Sequence, residues 1–149
     1  MPSAVTPRRV AVVVWAAMLL VPFAFLALTS ALPPARAGAK EMRDLLFWLV
    51  AGISALAIVL SRALPRRIGP RAGADGRDLV AFTRLVIAWS LCEAAALFPL
   101  VARMLTEDAR LLAFFALNVL ALATLFPSEG RWAALAAPAG PGSSGRLVR

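Results

Sequence analysis

The chain has 149 residues, 61% of them hydrophobic, with a mean hydropathy of +0.81; an ordinary soluble domain is roughly 45–50% apolar. The net charge of +8 and pI near 11.7 would suit a nucleic-acid binder, but the basic residues are spread over the segments between apolar runs, where they set membrane topology, and no nucleic-acid partner is expected. There is no His and no Tyr, and the one cysteine, Cys92, lies inside an apolar run, which excludes an internal disulfide, a Cys/His metal site and Cys–His catalysis.

Arg8 and Arg9 precede the first apolar run, Val10–Leu32, which is long enough to cross about 30 Å of hydrocarbon. Pro33 and Pro34 stop it. The order Arg8–Arg9, apolar stretch, Ala35–Arg36–Ala37 is also that of a cleaved signal peptide. The apolar stretch, about 20 residues, exceeds the usual 7–15 of such a signal, so it is read as a retained span. The second run, Leu45–Leu60, is short and is extended by Ser61–Leu64, giving a span of about 45–62. Pro65 to Asp78 is rich in Arg, Gly and Pro and reads as a flexible loop. The third run is Leu79–Met104, and the fourth, Leu111–Phe126, is again short. Arg131–Trp132 behind it has the composition of an interfacial anchor. Residues 136–149 are rich in Gly, Pro, Ser and Ala, the composition of a disordered tail.

The expected fold is therefore all-α: an integral membrane four-helix bundle of up-down topology over residues 1–135, with spans of about 10–32, 45–62, 79–104 and 111–126, followed by the tail 136–149. Its orientation follows from the loops. The N-terminus, second loop and tail hold ten basic residues (Arg8, Arg9, Arg62, Arg66, Arg67, Arg71, Arg77, Arg131, Arg146 and Arg149). The opposite loops hold five: Arg36, Lys40, Arg43, Arg103 and Arg110. The excess assigns both termini to the cytoplasm, with Arg84 snorkelling back to that face. The abundance of Ala, Arg, Gly and Pro points to a GC-rich bacterial genome, so a multi-pass protein of the cell inner membrane is expected.

Glu93 is the residue that this topology does not explain. A carboxylate at the centre of a span costs about 2.5 kcal/mol or more, and Gln or Ser would serve more cheaply as a structural polar group. It is the candidate ion- or proton-binding residue. Counted from the extracytoplasmic helix ends, Glu93 lies about 13.5 Å deep, Ser54 on the second span at the same depth, and Asn118 on the fourth at about 10.5 Å. Ser90, three residues before Glu93, shares its face. Ser54, Ser90 and Asn118 are thus expected to form a supporting polar layer, with a neutral Glu93 donating to the Asn118 side-chain oxygen. Its structural alternative is interhelical polar glue worth about 0.6 kcal/mol. Ala88, Cys92 and Ala96 recur at four-residue spacing, and Ala51, Gly52 and Ala55 lie on the second span; both patterns permit close helix approach.

The stretch Leu91–Cys92–Glu93–Ala94–Ala95–Ala96–Leu97–Phe98–Pro99–Leu100–Val101 resembles the ion-binding helix of ATP synthase c subunits. The resemblance covers about eleven residues and implies that Glu93 occupies the proton-carrying position. The family's repeated glycines have only Gly52 as a counterpart in the preceding span, and its short polar turn is replaced by a longer loop. The small multidrug transporters resemble this chain in having a lone membrane glutamate and four spans, although theirs lies in the first helix.

Two functions compete. One is a non-enzymatic accessory or assembly subunit of a membrane complex. The other is a proton- or cation-linked transport unit that uses Glu93 and acts as an oligomer. An enzyme is not expected, since no carboxylates cluster with a nucleophile or base at an interface. No cofactor and no metal are expected. The expected partners are the lipid bilayer and other membrane subunits or a second copy of the chain.

Overall fold

The computed structural model describes residues 6–32, 40–67 and 76–137. These form five helices and no strand: α1 Pro7–Ala31, α2 Lys40–Arg67, α3 Arg77–Thr106, α4 Leu111–Thr124 and α5 Glu129–Ala136. Pro33–Pro34, the Ala35–Arg36–Ala37 sequence, most of the second loop and the tail beyond Ala137 lie outside the described residues.

Three helices are long and apolar enough to cross a membrane, with mean hydropathies of 2.6, 2.1 and 2.0 for α1, α2 and α3. A fourth crossing exists if α4 and α5 count as one broken segment, bent by 77°. Alone, the 14 residues of α4 rise only about 21 Å. The apolar run to Phe126 is therefore helical only to Thr124. Pro127, without an N–H, follows the break, and Ser128 restarts the chain as the N-cap of α5, accepting from Arg131 N at 3.4 Å.

The core sits on α3. Its buried residues run from Val80 to Thr106 and face all four other helices, whereas α1 buries only Ala11 and Pro22. Contacts set the helix directions. On α4, Leu111 clusters with Ala102, Phe115 with Ala96 and Leu100, and Leu122 and Leu125 with Trp89, so α4 runs back along α3. Val50 of α2 lies by Ala102, and Ser61 bounds the same cavity as Leu85 and Ala88, so α2 is likewise antiparallel to α3. Ala11 clusters with Ala81 and Leu85, and Phe25 and Leu26 pack on Ala96 and Leu100, so α1 runs parallel to it. The small side chains of Ala88, Cys92 and Ala96 are buried, as the four-residue spacing requires. On α2, by contrast, Gly52 and Ala55 are exposed beside Trp48 and Val59, and a Cβ at Gly52 would meet no atom within 4 Å.

The end of α4 draws the rest of the chain toward it. The last carbonyls of a helix lack intrahelical donors, and in hydrocarbon each must find one within the protein. Trp15 Nε1 donates to Leu122 O at 3.2 Å, Trp89 Nε1 to Leu125 O at 3.0 Å, and Arg131 Nη1 to Thr124 O and, at 3.2 Å, to Phe126 O. Arg8 reaches Pro127 O through Nε at 3.4 Å and Glu129 Oε1 through Nη1 at 2.6 Å. Trp132 is buried and donates from Nε1 to Asp78 Oδ1 at 2.9 Å. It is a packing residue that ties α5 to the start of α3, a correction to the interfacial anchor expected from sequence. Arg84, expected to snorkel, donates from Nη1 to Leu135 O at 2.7 Å. The start of α1, the end of α2, the start of α3 and α5 thus converge on one end of the molecule.

Candidate functional site

The expected polar layer divides in two. Ser54 and Asn118 meet: Asn118 Nδ2 donates to Ser54 Oγ at 2.8 Å and to Phe114 O at 2.8 Å, and both residues are buried. Depth matching puts these two side chains at nearly one level but pairs Asn118 with Glu93. Bonding to Phe114 O fixes which way the amide points, and it leaves Asn118 Oδ1 buried without a donor. That is the oxygen Glu93 was expected to serve.

Glu93 does not serve it. No hydrogen bond or ion pair to Glu93 occurs among the described residues. Helix phase gives the reason. Ala102, which faces α2, is nine residues from Glu93, and at about 100° per residue that is half a revolution. Glu93 therefore points away from α2. On its own side of α3, Trp89 and Ala96 are buried and pack with residues of both α1 and α4, while Ser90 and Ala94 are exposed. Glu93, half-buried, sits on the rim between these two faces. Ser90 belongs with it on the outer surface and completes no internal layer. The expected Glu93–Asn118 pairing is thus corrected: the Asn118 amide bonds Ser54 and Phe114 O instead, and Glu93, turned from α2, does not reach its Oδ1.

Pro22 and Pro99 lie inside α1 and α3 and are fully buried. Each removes one donor from its helix. Cys92 is buried beside Ser61, on the side of α3 that faces α2. Among the described residues, no three His, Cys, Asp or Glu side chains form a group that could hold a metal ion.

A second polar group, unforeseen from sequence, lies at the far end. Asp108 is buried in the turn between α3 and α4. It accepts from Arg110 N at 2.9 Å, from Arg110 Nε at 2.9 Å through Oδ2, and from Arg110 Nη2 at 2.7 Å. Arg110 also reaches Asp44 Oδ1 at 3.5 Å and lies over the Phe47 ring, 4.7 Å from its centroid. The Arg110 guanidinium holds the Asp108 carboxyl below the usual carboxylate range, and Asp108 in turn raises Arg110. Glu107, at φ 57°, closes α3 in the left-handed conformation with its N–H on Arg103 O at 2.7 Å. This assembly fixes the α3–α4 turn. Its only sequence signal is the spacing of Asp108 and Arg110.

No family model matches the chain, and no curated protein and no solved structure matches it.

Proposed function

We propose that the chain is a non-enzymatic accessory or assembly subunit of an inner-membrane complex. It crosses the membrane four times, α4 and α5 forming the last and broken crossing, with both termini in the cytoplasm. The ten-to-five basic excess supports this orientation. So does the gathering of Arg8, Arg62, Arg84 and Arg131 at one end.

The observation that carries the reading is Glu93. It is half-buried at mid-span with no partner among the described residues and with exposed Ser90 and Ala94 beside it. A carboxyl facing hydrocarbon costs about 2.5 kcal/mol or more, a cost that a covering helix with a hydrogen-bonding group removes. The exposed Trp48–Gly52–Ala55–Val59 line on α2 offers a second surface to which a helix can come close.

The test is the mass of the detergent-solubilised particle, from native membranes and from the chain expressed alone. A hetero-complex from native membranes, reduced to the single chain on separate expression, is the expected result. A monomer in both preparations contradicts it.

The same observation supports a second reading, in which the covering surface is another copy of this chain and Glu93 carries a proton or cation. The resemblance of Leu91–Val101 to the ion-binding helix of ATP synthase c subunits favours it. A homo-oligomer in both preparations selects this reading.

A further inference from the structure

The end of the bundle where the arginines gather encloses a cavity of about 770 Å³, within the roughly 300–1,000 Å³ range of small-molecule sites. Four helices build it. Arg62 stands near the end of α2, Arg84 two turns into α3, and Arg131 comes from α5; Ser61 and Thr124 add hydroxyls. Among the described residues, no carboxylate lines it. Three guanidinium groups round one space would repel each other, yet neither Arg62 nor Arg131 has an ion pair among the described residues.

The bonds that Arg62 and Arg131 make leave donors over. Arg62 Nη1 donates to Ile58 O at 3.1 Å, and Arg131 uses Nη1 alone on the carbonyls of Thr124 and Phe126. Guanidinium has five N–H donors in a planar fork that matches phosphate oxygens in pairs. The rest of the wall is apolar, including Leu85, Ala88 and Leu125 from the membrane-crossing segments and Leu135 from α5. A wall of this kind suits a ligand with an anionic head and an apolar body. Basic pockets between spans on the cytoplasmic side have the charge and depth to take anionic headgroups.

We infer that this cavity is a binding site for a phosphate-bearing anion, the headgroup of an anionic phospholipid, held by Arg62, Arg84 and Arg131. The bent α4–α5 segment forms its outer wall, and binding there ties α5 to α2 and α3.

The experiment uses the full chain purified in non-ionic detergent. The probes are phosphatidylglycerol, phosphatidylcholine and inorganic phosphate, read by thermal unfolding and native mass spectrometry. Phosphatidylglycerol is expected to raise the unfolding midpoint and to remain as a bound adduct, and phosphatidylcholine to do neither. Arg62→Gln, at an exposed position, is expected to weaken phosphatidylglycerol binding about tenfold, the loss of a charge-assisted hydrogen-bonding group. Arg103→Gln, at the opposite end, should leave it unchanged. If Arg62→Gln does not fold, Arg62→Lys keeps the charge without the fork and should weaken binding severalfold. Arg62-dependent stabilisation by inorganic phosphate alone would assign the site to a free phosphate group; dependence on the lipid assigns it to a headgroup. Equal binding of phosphatidylcholine, or affinity in the folded Arg62 variants equal to that of the unaltered chain, overturns the inference.

Discussion

Asn118 on α4 reaches Ser54 on α2 through a 2.8 Å hydrogen bond, and both side chains are almost wholly inaccessible, at 0% and 1% exposure. This contact is the one direct polar tie between those two helices among the described residues. Interhelical hydrogen bonds in membranes average about 0.6 kcal/mol. A double-mutant cycle of Ser54→Ala and Asn118→Ala, read by reversible unfolding in detergent, should give a coupling energy of about that size. A coupling near zero would show that the bond contributes nothing to the native state.

Trp89 is a larger contributor. Its indole is fully buried and holds Leu125 O at the end of α4. Trp89→Phe removes the donor and leaves a buried carbonyl unserved, so a loss of about 1–3 kcal/mol is expected. Trp15→Phe, whose bond to Leu122 O is only part-buried, should cost less. Thermal unfolding of the two variants checks the order.

Much of this architecture is legible in the sequence, and the reasons for success and failure are specific. Three spans stand out because α1 and α3 hold long, mostly apolar runs and the shorter run of α2 is extended by Ser61–Leu64. The break after α4 has its own signals, Pro127 and then Ser128 followed by Glu129. They are masked by an apolar run that continues to Phe126, so α5 reads as loop and tail. Counting residues from a helix end gives depth, which is why Ser54 and Asn118 could be matched. Depth says nothing of angle, and Glu93 is turned away from α2. Arg62, Arg84 and Arg131 lie far apart in sequence and read singly as topology charges. Only the fold brings them round one cavity.

The α3–α4 turn should respond to acid. Arg110 holds the Asp108 carboxyl below its ordinary value, so Asp108 binds a proton less readily in the folded state than in the unfolded state. The stability this contributes is present above the unfolded carboxyl value, about pH 3.9, and is lost as pH falls through the lower folded value. The unfolding midpoint should drop in that acid range. Asp108→Asn, weaker at neutral pH, should show a shallower drop. Parallel slopes for the two proteins would remove Asp108 as the cause.

Glu93 has no partner among the described residues, so substitution there should spare the isolated fold. Glu93→Gln and Glu93→Leu should both unfold within about 0.5 kcal/mol of the unaltered chain, the range of surface changes. Their assembly should differ: Gln keeps a hydrogen-bonding group and retains the partner, whereas Leu loses it. A Glu93→Leu chain that fails to fold alone would give Glu93 an internal role instead.

Cross-linking from Ser90 tests most directly whether the Glu93 face is covered by a second polypeptide. Ser90 is exposed one turn before Glu93 on the same side of α3, and a photoreactive amino acid can replace it in the full chain within native membranes. A discrete adduct with a different polypeptide, diminished when Glu93→Leu is added, is the expected result. Adducts with lipid alone, from a chain that solubilises as a monomer, would contradict the proposal that this protein is a subunit of a larger membrane complex.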